Sequence, residues 1–127
     1  MGLADKKIIR ANGLQMFDNN LIIGNTGDNY LKKLNLFNQE ISNIAKLDTG
    51  IIDGIKYFDH NNEYLVSLCE GKLFLISDNI SIELLDFMSE GINIADFEYI
   101  EELNLIIIPT YESNKVIGYK IYKNNLL

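Results

Sequence analysis

The sequence predicts an all-β fold of three four-stranded repeats, each a propeller-type blade, which together make half of a six-bladed ring. Three observations carry this reading. Short apolar stretches alternate with turns rich in Asn, Asp and Gly along the whole 127-residue chain. A short string recurs as Asn12-Gly13-Leu14, Asp53-Gly54-Ile55 and Asp96-Phe97-Glu98, at spacings of 41 and 43 residues, which suits a four-stranded blade. Each repeat then continues in the same order: a short strand, a turn, a strongly apolar strand, a polar turn and an alternating strand.

The first repeat, about 12–50, places strands at 14–17, 21–25, 30–36 and 41–47 with turns at 18–20 and 26–29. The second, about 53–92, gives strands at 55–58, 64–69, 72–76 and 82–87. The third, about 96–121, gives 97–100, 104–110 and 115–121 and ends one strand short. Residues 6–10 precede the first repeat where the outermost strand of a preceding blade belongs, so this strand is expected to complete the last blade. Twelve strands, three blades, follow. Propellers typically need at least four blades to close, and terminal blades leave an apolar face and a strand edge open to water. A homodimer of two half-rings, closed by N-terminal strands, is therefore the expected partner arrangement, with 1–127 acting as a single domain.

Composition narrows the function. A net charge of −7 repels phosphate backbones, and the Lys and Arg residues are scattered, so no nucleic acid is expected. The apolar runs are too short to span a bilayer and residues 1–10 lack an apolar secretory core; no membrane association and a cytoplasmic location are expected. Cys69, the one cysteine, reads as a reduced core thiol in an apolar strand. His60 reads as a solvated turn residue, and nothing else resembles a His-centred triad or zinc cluster.

Equivalent positions in successive blades converge around a shared axis, which would bring Asn12, Asp53 and Asp96 to one mouth. All three offer oxygen, the ligand a hard cation such as calcium prefers, so they are the candidate metal set. Turns on the same face would place Asn25, Asp28, Glu70, Tyr111 and Glu112 around a rim that admits a small-molecule ligand. Asp53 is the candidate catalytic residue: a cation would polarise an ester carbonyl and a rim carboxylate would take a proton from its bound water. The same Asn-Gly and Asp-Gly pairs also serve as turns that need positive φ.

The strings Asn12-Gly13-Leu14, Ile52-Asp53-Gly54-Ile55 and Ala95-Asp96-Phe97-Glu98-Tyr99-Ile100, followed by 105–110, resemble the C-terminal half of six-bladed propellers of the senescence-marker-protein, gluconolactonase and regucalcin-like family. That resemblance implies a divalent cation, calcium foremost, at one mouth of the central channel, with Asn12 and Asp53 matching two ligand positions. The family's early-blade Glu has no counterpart here. Two functions follow as expectations: a metal-binding, lactone-hydrolase-like homodimer, or a non-catalytic propeller scaffold for protein or ligand binding.

Overall fold

A computed structural model describes residues 4–59 and 61–122. Over them the chain forms eleven β-strands in three antiparallel sheets, each ordered as in the chain. The first sheet holds β1 (Ala11–Phe17), β2 (Asn20–Asn25), β3 (Tyr30–Asn35) and β4 (Ile41–Lys46). The second holds β5 (Ile52–Asp59), β6 (Glu63–Leu68), β7 (Lys72–Ser77) and β8 (Ile80–Asp86). The third holds β9 (Glu98–Ile100), β10 (Leu105–Thr110) and β11 (Lys115–Lys120). None of the described helices is long and apolar enough to cross a membrane.

Turn chemistry punctuates the strands. Asp18, Asn29, Asn62, Asn79, Asn104 and Asn114 all take positive φ between strands, a conformation that Asn and Asp adopt at lower cost than other non-glycine residues. Phe17 pairs with Asn20 and Ser77 with Ile80, so two hairpins close through the two-residue loops Asp18-Asn19 and Asp78-Asn79.

Apolar side chains on facing sheets make two continuous cores. Ile22, Leu31 and Ile44 of the first sheet meet Ile55, Tyr64, Val66 and Phe74 of the second. Leu65, Leu73 and Leu75 on the opposite face of that second sheet meet Phe97, Ile106 and Ile108 of the third. The central strand β6 is apolar on both faces for this reason. An aromatic pair marks both junctions: Phe17 stacks on Tyr57 at 4.4 Å, and Phe58 lies 5.2 Å from Tyr99, spacings at which ring contacts add to burial.

Residues 6–10 form no strand. They run as the lead into β1: the Gly27 N–H donates to the Ile9 carbonyl at 2.9 Å and the Thr26 N–H to that of Arg10 at 3.3 Å. The second sheet repeats the bond, with the Cys69 N–H donating to the Ile51 carbonyl at 2.9 Å, so residues 6–10 correspond to the connection before β5. Within this chain residues 6–10 add no strand to the third sheet, which has three strands among the described residues.

Candidate functional site

The recurring Asn-Gly and Asp-Gly pairs are β-bulges. Ala11 pairs with Asn25 and Leu14 with Ile23, so β1 takes three steps where β2 takes two; Ile52–Leu68 and Ile55–Val66 repeat the mismatch between β5 and β6. An extra residue of this kind sharpens local twist and re-aims a side chain. The third sheet has the same irregularity. Ile94 bridges Thr110 and Glu98 pairs with Ile107, four steps against three, matching Ile52–Lys56 against Leu65–Leu68.

This register moves the third repeat by one residue. The position of Asn12 and Asp53 is held in the third sheet by Ala95, and Asp96 stands where the first two sheets have Gly13 and Gly54. The reason is local: Ala95 carries no turn signature, so the neighbouring Asp96 attracts the alignment. Glycine in this slot is required by space. A Cβ on Gly13, whose φ is +81°, would overlap the Asp53 carbonyl oxygen of β5, and one on Gly54 would come within 2.9 Å of Asp96 Oδ1. Positive φ is thus needed at Gly13, whereas Gly54 is needed for close approach alone.

Each expected ligand has a structural hydrogen bond. Asn12 Nδ2 donates to the Ile52 carbonyl at 3.0 Å, tying β1 to β5. Asp53 Oδ2 accepts the Cys69 thiol at 3.3 Å. Asp96 Oδ1 accepts the Phe97 N–H at 2.9 Å and lies 3.7 Å from the Lys56 ammonium. Among the described residues, no three His, Cys, Asp or Glu side chains gather as a ligand set.

The rim divides in two. Asn25 is fully buried, with Oδ1 accepting the Ile9 N–H at 2.8 Å and Nδ2 donating to Asp28 Oδ1 at 2.7 Å. Asp28 forms a 2.7 Å ion pair with the buried Lys32, which also donates to Asn43 at 3.1 Å. Burial pushes the Asp28 carboxyl up, but bonds from Lys32, Asn25 and the Tyr30 N–H outweigh it and hold the pKa below the ordinary 3.8. This half is a buried polar network on the outer face of the first sheet. The other half, Glu70 and Tyr111, lines a cavity of about 320 Å³ together with Cys69, Asn93, Ile94 and Ala95. Glu70 accepts the Ile51 N–H at 3.0 Å, while Tyr111 and Glu112 are exposed.

Cys69 lies just past β6, half-buried beside Asp53 rather than in a core. Burial, then the Asp53 hydrogen bond and charge, then Glu70, push its thiol up to about 12, so it stays protonated and is a poor nucleophile near neutrality. Two further residues escape a reading by motif. Ser67, fully buried, accepts the Gly54 N–H at 2.8 Å and donates to the Ala95 carbonyl at 2.5 Å, linking the bulge of β5 to the chain entering β9. Lys32 occupies the slot of Phe74, and its one signal is a cation at an otherwise apolar repeat position. His60 lies outside the described residues.

No protein-family model matches the chain, and no curated protein matches it. Solved structures of two computationally designed proteins share its fold. Ika4 aligns with a TM-score of 0.63 and 14% identity over 88% of this chain and 66% of its own. Ika8 aligns at 0.62 and 14% over 87% of this chain and 33% of its own. At such identity the likeness concerns the fold alone, and these comparisons lend no support to the regucalcin-like resemblance.

Proposed function

We propose that the chain is a non-catalytic binding scaffold of three propeller blades, with a small ligand held in the cavity between the second and third sheets. One observation carries this reading: the equivalent bulge positions hold Asn12, Asp53 and Ala95, so the repeat does not present three oxygen ligands at one level. The side chains that remain are engaged in bonds between neighbouring strands. The candidate cation set joins Asn12, Asp53 and Asp96, and Asp96 is drawn instead toward Lys56 and its own neighbour's N–H.

The proposed ring is completed by a second copy. Leu14 and Met16 on the outer face of the first sheet are 62% and 51% exposed; their counterparts Ile55 and Tyr57 pack onto the preceding sheet. Val116 on the outer face of the third sheet is 70% exposed, whereas its counterparts Leu31 and Leu73 are fully buried under the following sheet. These exposed residues lie on the two halves of a junction that the chain makes twice internally, and a head-to-tail pair would cover them, meeting the first sheet beside its polar network.

Thermal unfolding with calcium, magnesium, manganese and zinc tests the scaffold reading. The expected result is no metal-dependent rise in Tm. A calcium-dependent rise that Asp53→Ala abolishes would restore the hydrolase reading, because a ligand bound to the native state alone must stabilise it. Light scattering on the eluting protein tests the ring: twice the 14.5 kDa chain mass is expected, and a monodisperse monomer would overturn its completion by a second copy.

A further inference from the structure

We infer that the groove beside β11 accepts an extended aliphatic, acidic peptide from a partner, which pairs with the free β11 edge as a fourth strand. In the first sheet, β4 pairs with β3 and rests on β7 and β8 of the next sheet. By the same repeat, β8 calls for β11 and a further strand beneath it. The third sheet has the order β11-β10-β9, so among the described residues one edge of β11 has no neighbour. The room left is a groove of about 360 Å³ walled by Leu73, Leu84, Leu85, Ile106, Tyr119 and Ile121.

Continuity and charge say what fits. Leu73, Ile106 and Ile121 belong to the buried core between the second and third sheets, and Leu84, Leu85 and Tyr119 pack against it, so the groove prolongs an interface already formed. The walls are mainly aliphatic, so the incoming strand turns apolar side chains to them, as β4 turns Ile41 onto Ile23 and Leu34 on the equivalent face of the first sheet. In the second sheet Lys72 of β7 holds Glu83 of β8 at 2.9 Å. Thr110 pairs with Lys115 as Leu68 pairs with Lys72, so Lys115 is the counterpart of Lys72. It offers its charge to an acidic residue in the incoming strand. Strand addition of this kind draws affinity from main-chain hydrogen bonds and selectivity from alternate side-chain pockets.

The inference rests on the equivalence of the three sheets, not on the ring or the mouth cavity, so a monomeric mass or a metal response leaves it standing. The probe is a fluorescein-labelled peptide with the sequence of residues 79–87, the chain's own acidic fourth strand, titrated with the full-length protein by fluorescence polarisation. Saturable binding is expected. N-methylation at the alternate residues that face β11 should lower affinity about tenfold or more, since several main-chain bonds are lost together, while methylation of the other set should not. Lys115→Glu, on an exposed position, should also lower it several-fold. Absence of saturable binding, equal binding of both methylated peptides and the parent, or unchanged affinity for Lys115→Glu would each overturn the inference.

Discussion

The outer face of the first sheet and the outer face of the third are finished differently, although the same repeat builds both. On the first sheet, Asn25 and Lys32 replace Leu68 and Phe74 of the second, join Asp28 in a buried network, and are covered by the chain leading into β1. Ile8 adds an apolar contact to Ile23, Leu34 and Ile41. On the third sheet, Ile107, Pro109 and Val116 stay apolar and line an open hollow with Asp96 and Glu98. Polar substitution plus a covering segment closes part of the first face, whereas retained aliphatic residues leave the third open. The remaining exposed patch on the first face is Leu14 and Met16, at the rim of the network.

The strongest way to break this comparison is to truncate one repeat position in both settings. Leu73→Ala should cost about 3 kcal/mol, the usual range for a fully buried leucine, whereas Val116→Ala at the equivalent open position should cost about 0.5 kcal/mol or less in the monomer. Urea unfolding measures both. A large cost at Val116 under dimeric conditions, relieved by dilution, would place that residue in a contact between copies.

The polar cap is sharpened by charge and pH. Lys32→Ala should destabilise by about 2 kcal/mol, reduced from the fully buried case because the Asp28 partner keeps contact with water. The folded-state pKa of Asp28 is depressed, so its contribution is present above the ordinary value near 3.8 and is lost as pH falls through the folded value. Asp28→Asn should therefore lower stability at pH 7 and converge with the parent protein in acid. A constant difference across that window would show that Asp28 acts through packing rather than charge.

The smallest effect concerns Cys69. With its thiol held near 12, alkylation by iodoacetamide at pH 8 should be slow, and Asp53→Asn should speed it by removing the carboxylate that opposes thiolate formation. Mass spectrometry over time follows the modification. An unchanged rate would assign the protection to burial alone, which is the larger of the two causes.

The eleven strands of the described residues were legible in the sequence within a few residues, because their signals are local. Asn and Asp at Asp18, Asn29, Asn62, Asn79, Asn104 and Asn114 carry the positive φ of the turns, and apolar alternation marks what lies between them. What the sequence left undecided depends on pairing with distant residues. Residues 6–10 have the apolar content of a strand, but a strand needs a neighbour, and the Gly27 and Thr26 N–H groups hold this segment as a connection instead. Asp96 resembles Asp53 in chemistry, yet the bridge from Ile94 to Thr110 assigns that place to Ala95, and a one-residue step in register exchanges the faces of a strand. Lys32 and Cys69 each sit in apolar stretches; one is the centre of a buried polar cap and the other a half-buried partner of Asp53. Local backbone preference and alternation thus determined the elements and their order, while register and the covering of each sheet face were decided only when three sheets packed together, because those depend on which distant groups satisfy a hydrogen bond or exclude water.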